Sequence, residues 1–108
     1  MRTIPVTGGY SDYAECTITD RDGKDLSTAT FKAALLPRNQ GYPAHASPDW
    51  STPLVATPTA GEAEIALLVT NSTPPGDYYL WVDIVDNPTV VPVRGCDDTG
   101  RPEIVRVT

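Results

Sequence analysis

The sequence predicts an all-β sandwich, and three observations carry that reading. Apolar and polar residues alternate with a period of two in several segments, which sets one apolar and one polar face on each. Clusters of Pro, Gly, Asn and Asp separate those segments at short intervals. Thr, Val and Pro are common, while uninterrupted runs of helix formers are scarce. With 108 residues, the chain is expected to form a single domain over 1–108. Its 40% hydrophobic and 20% charged residues suit a folded globule rather than a disordered tail.

In "YAECTIT", Ala14, Cys16 and Ile18 point one way and Glu15, Thr17 and Thr19 the other. "ATFKAAL" repeats the pattern, with Ala29, Phe31, Ala33 and Leu35 alternating against Thr30, Lys32 and Ala34. These two segments read as neighbouring strands, with Cys16 and Phe31 on core faces. Residues 37–53, "PRNQGYPAHASPDWSTP", contain four prolines and no period, so they read as a long surface excursion. A strand over 54–57 and a turn over 59–61 follow, and "EAEIALLVT" then directs Ile65, Leu67 and Val69 inward. Pro74, Pro75 and Gly76 make the turn into the strongest strand, "DYYLWVDIVD". Tyr78, Leu80, Val82 and Ile84 form one of its faces, and Tyr79, Trp81, Asp83 and Val85 the other. Asn87-Pro88 breaks that strand and "TVVPV" resumes, with Pro92 marking an edge strand or a bulge. A turn over 97–100 and the strand "EIVRVT" close a set of seven to eight short antiparallel strands.

Several function classes are disfavoured. A formal net charge of −6, with no basic stripe, would repel a phosphate backbone, so no nucleic-acid partner is expected. The N-terminus lacks the apolar run of a secretion signal and no segment is long enough to span a bilayer, so no export and no membrane attachment are expected. Cys16 and Cys96 would stay reduced in a cytoplasm, although the sequence leaves their pairing open. Asn71-Ser72-Thr73 spells a glycosylation sequon that has no meaning without secretion. His45 lies among prolines with no nameable partner, and a buried Cys16 acts as a small apolar group. No catalytic residue and no cofactor are assigned.

"TITDRDGKDLSTATF" at 17–31 raises the possibility of a metal. Asp20, Asp22 and Asp25 surround Gly23 in a spacing close to that of a calcium loop. An EF-hand needs its glycine after a third acidic ligand, a closing Glu and flanking helices, and all three are missing here. A hairpin explains the same letters, because Asp bonds nearby backbone N–H groups and Gly23 tolerates positive φ. No metal site is assigned.

The aromatics say more. Tyr78, after "PPGD" at the start of a strand, has the placement of the tyrosine corner in immunoglobulin-like sandwiches. Tyr79 and Trp81 take the opposite face. That face is either a contact patch for a protein or a sugar, or it is covered by the excursion at 37–53 through Trp50.

The run "TITDRDGKDLSTATFKAALL", followed by "PPGDYYLWVDIVD" and a short final hairpin, resembles small immunoglobulin-like domains of tailed-bacteriophage virion proteins. The likeness is to the N-terminal attachment domain of baseplate upper proteins and to small minor tail proteins of actinobacterial phages. The shared pattern is a D-x-D-G turn ending at Gly23, then Asp25-Leu26-Ser27, Ala29 with Phe31, and a later G-x-Y at Gly76 and Tyr78. It covers most of the chain outside the proline-rich excursion. The resemblance implies a non-enzymatic structural protein of the virion, assembled in the host cytoplasm and docked in symmetric copies on tail, neck or capsid subunits, with a minor tail protein favoured. Because the chain ends at Thr108, no receptor-binding region is expected to follow. Contact candidates are Tyr79, Trp81, Tyr42 and Trp50. A capsid decoration protein and a carbohydrate-binding module using the same aromatics are the alternatives.

Overall fold

A computed structural model describes residues 2–19, 26, 29–39, 50–59, 61–86 and 89–108, with the backbone alone at 56–59, 86 and 89–92. Among the described residues there are eight strands: β1 (Arg2–Ile4), β2 (Asp12–Thr19), β3 (Thr30–Pro37), β4 (Leu54–Thr59), β5 (Glu62–Val69), β6 (Gly76–Asp86), β7 (Thr89–Arg94) and β8 (Ile104–Val107). No α-helix occurs among the described residues. One sheet has the order β1-β8-β6-β3, with β7 also on β6, and the second has the order β2-β5-β4. The two sheets share one apolar core.

Alternation decides which side chains enter that core. Ala14, Cys16 and Ile18 of β2 meet Ala63, Ile65, Leu67 and Val69 of β5 from within one sheet. Phe31 and Ala33 of β3, Tyr78, Leu80 and Val82 of β6, and Val105 and Val107 of β8 face them from the other. Strands β2 and β5 pair over eight positions, from Asp12↔Val69 to Thr19↔Glu62, and their apolar residues meet at Ala14↔Leu67, Cys16↔Ile65 and Ile18↔Ala63.

Two expectations are corrected. The segments around Cys16 and Phe31 are not neighbours: β2 pairs with β5, and β3 pairs with β6 in the opposite sheet. The ten residues between Thr19 and Thr30 are ample to cross the roughly 10 Å between packed sheets, whereas a tight hairpin would use two to five. Residues 20–25, Gly23 among them, lie outside the described residues. Leu26 of the "DLS" run is buried in the core, and its carbonyl accepts the Ala29 N–H at 3.2 Å. The second correction concerns strand direction, since β1 runs parallel to β8 through Arg2↔Val105, Thr3↔Arg106 and Ile4↔Val107. Every other pairing between strands is antiparallel. Buried Ile4 and Val6 hold that N-terminal segment in place. The Thr108 N–H bonds to the Ile4 carbonyl, and the Thr7 N–H to the Thr108 carbonyl.

β7 and β8 both pair with the same edge of β6, at Trp81–Asp86 and Gly76–Tyr79 respectively. Between them the chain leaves the sheet and crosses to β2, where Cys96 and Thr17 exchange two backbone hydrogen bonds of 2.8 and 2.9 Å. This bridge covers the free edge of β2 and ties the two sheets together. The turn expected at 97–100 is found there. Gly100, at φ 83°, donates to the Asp97 carbonyl at 3.1 Å, and the Asp97 side chain accepts from the Thr99 and Arg101 amides. Pro92 sits on β7, which among the described residues pairs with β6 alone and is an edge strand of that set.

Candidate functional site

Tyr78 lies where the sequence expects a corner. Its ring is buried in the core and its hydroxyl donates to the Pro74 carbonyl at 2.6 Å. Gly76, at φ 156°, takes a backbone conformation that L side chains rarely adopt as the chain turns into β6.

On the opposite face of β6, Trp81 is buried and so is not an exposed contact surface. Trp81 is only 5% exposed, and Ala34, Leu36 and Asp83 on the same outer face are buried with it. Register sets Ala34 and Arg94 on either side of Trp81, and the Arg94 guanidinium lies 5.8 Å from the ring. Tyr79 is half-buried, with Arg94 at 5.1 Å and Arg38 at 5.9 Å from its ring. Ser51 pairs with Ala33, so alternation sets half-buried Trp50 on the outer face beside Ala34. Tyr42 lies outside the described residues, as does His45. Trp81 is thus buried and Tyr79 half-buried, so no flat, exposed Tyr/Trp pair is presented on this face.

The bare surface is on the other sheet, and the sequence reading did not single it out. Tyr13 of β2 and Leu68 of β5 are cross-strand partners on the outer face, and Leu54 of β4 pairs with Ala66 beside them. Leu54 is 60% exposed, Leu68 50% and Tyr13 38%. A signal existed: Tyr13 and Leu68 occupy the polar phase of their strands, alongside Glu15 and Thr17 or Glu62 and Glu64. Apolar residues in that phase put apolar surface on the outer face.

Next to this face, a hollow of about 440 Å³ opens between β2, β4 and the crossing segment, with Glu15, Thr17, Leu54, Glu64, Cys96 and Asp98 among its lining. Cys16 and Glu103 border it from the core side. Burial pushes the Cys16 thiol up to about 12, with Cys96 and Glu103 adding to the effect, so no thiolate forms there at neutral pH. Burial also raises the Glu103 carboxyl. Both cysteines are free thiols. Among the described residues, no three His, Cys, Asp or Glu side chains are grouped to hold a metal ion, and no helix is long and apolar enough to cross a membrane.

Comparison of the chain with protein-family models, with curated proteins and with solved structures finds no match.

Proposed function

We propose that the chain is an immunoglobulin-like β-sandwich acting as a docking module of a tailed-phage virion, a minor tail protein with no chemistry of its own. The observation that carries the docking role is the contrast between the two outer faces. One seals its tryptophan inside the chain, while the other leaves Tyr13, Leu54 and Leu68 in water.

The immunoglobulin-like reading is supported by strand order and by the corner. β2, β5 and β4 fall where strands B, E and D of such a sandwich fall, and β3, β6 and β8 where C, F and G do. Tyr78 opens the strand equivalent to F and bonds the backbone four residues upstream. The virion assignment rests on the resemblance of the 17–36 and 74–86 runs to phage domains. Many copies of a weak contact, repeated by particle symmetry, would give firm attachment.

Mass spectrometry of purified particles tests the reading. The protein should be present in fixed ratio to the tail subunit. A ratio fixed to the capsid subunit instead would make it a decoration protein, and its absence from particles would reject the virion role.

A further inference from the structure

We infer that the outer face of the three-stranded sheet receives a protein partner whose contact surface sets an apolar side chain between Lys or Arg residues, and not a second copy of this chain. The inference rests on the docking reading above and adds the chemistry of the partner.

Two cross-strand pairs build the face, Tyr13 with Leu68 and Leu54 with Ala66. Leu54 stands at the mouth of the acidic hollow, so apolar contact and negative charge are adjacent. Glu15, Glu64, Asp97 and Asp98 all border that hollow, and no Lys or Arg among the described residues lines it. Two copies meeting through this face would press those carboxylates together, which opposes self-association. A lysine or arginine from a partner suits the same place, because its aliphatic stem can lie on Leu54 while its head reaches Glu15 or Glu64. The chain's net charge of −6 acts in the same direction, drawing a basic surface in and slowing the approach of a second copy.

The probe is a capped seven-residue peptide of alternating Lys and Leu, titrated into isotope-labelled protein and followed by amide chemical shifts. A matched peptide of alternating Glu and Leu is the control. Shifts should centre on Tyr13, Leu54, Ala66 and Leu68 with the Lys/Leu peptide alone and should weaken as salt is raised. The Leu54→Ser/Leu68→Ser variant should bind about tenfold more weakly, a loss of about 1.4 kcal/mol. The Glu15→Lys/Glu64→Lys variant should exchange its preference for the Glu/Leu peptide. All four positions are exposed, and an unchanged spread of amide signals shows that each variant folds. The inference is overturned by an equal response to both peptides, by shifts on the β3–β6 face, or by no response. A dimer in sedimentation velocity that Leu54→Ser/Leu68→Ser dissolves would overturn it in favour of a second copy. None of these results touches the virion role, which particle composition decides separately.

Discussion

Cys16 occupies the space into which any side chain on Gly95 would project. A Cβ built on Gly95 would lie 2.5 Å from the Cys16 Cβ, nearer still to its Sγ, and 3.3 Å from the Leu80 carbonyl oxygen. The absent side chain lets the crossing segment lie close against β2, where Cys96 pairs with Thr17 and the Gly95 N–H reaches Leu80.

Gly95→Ala should therefore destabilise the protein by about 3 kcal/mol, because neither the β2 backbone nor the short Cys16 side chain can move aside. Urea unfolding measures it. Adding Cys16→Gly should recover part of the loss, whereas Cys16→Ser should not, since its Cβ and Oγ keep the clash. A Gly95→Ala variant as stable as the parent would show that the crossing segment does not pack against β2.

The two thiols should differ in reactivity. Cys16 is buried and held protonated, while Cys96 is half-exposed on the crossing segment. Gly95 faces Cys16, so alternation turns Cys96 to the other side of the Thr17 pairing. Iodoacetamide on the native protein should add one equivalent, at Cys96, and a second only in denaturant, as read by mass spectrometry. Two equivalents added at equal rates would contradict the burial of Cys16.

Tyr78→Phe keeps the ring in the core and removes only the hydrogen bond to the Pro74 carbonyl. The expected cost is about 1 kcal/mol, and the remaining ring should preserve the fold. Thermal or urea unfolding would measure it. A loss indistinguishable from zero would mean that the corner adds nothing beyond packing.

Stability should pass through a maximum on the acid side of neutrality. The bond from Arg106, aided by its charge, holds the Asp77 carboxyl below the usual range, and the Thr99 hydroxyl with the Arg101 and Thr99 amides does the same for Asp97. Depressed carboxylates add stability above their unfolded pKa, near 4, and that stability is lost as pH falls through their lower folded values. Glu103 has the opposite sign. Burial raises its folded pKa, so the native state binds the proton more tightly, and stability grows as pH falls through that raised value toward about 4.3. The urea midpoint should rise as pH is lowered from 7 toward about 4.3 and fall as it is lowered further. Glu103→Gln should flatten the first limb and Asp77→Asn should blunt the second. A midpoint that only declines below pH 7 would refute the role given to Glu103.

Much of the local structure could be read in advance. The inward sets of β2, β5 and β6, the turns before Tyr78 and at Asp97, and the edge position of Pro92 follow from alternation and turn chemistry. The hydroxyl bond of Tyr78 followed from its place after "PPGD". β1 was not legible, because three residues carry no visible period and only the parallel contact with β8 makes them a strand. The exposure of the two outer faces was not legible, because alternation sets Tyr79 and Trp81 on one and Tyr13 and Leu68 on the other without revealing that Trp81 is buried and Leu68 is exposed.

By itself the sequence determined which residues extend, which turn, and which side of each strand is apolar, since period two and turn propensity are properties of a few consecutive residues. Only the tertiary structure decided that β2 and β3 lie in opposite sheets, that Cys16 packs against Gly95, and that Trp81 is enclosed while Leu54 and Leu68 meet water. Those outcomes depend on which distant segments come to lie against each other. A two-residue repeat carries no record of that choice.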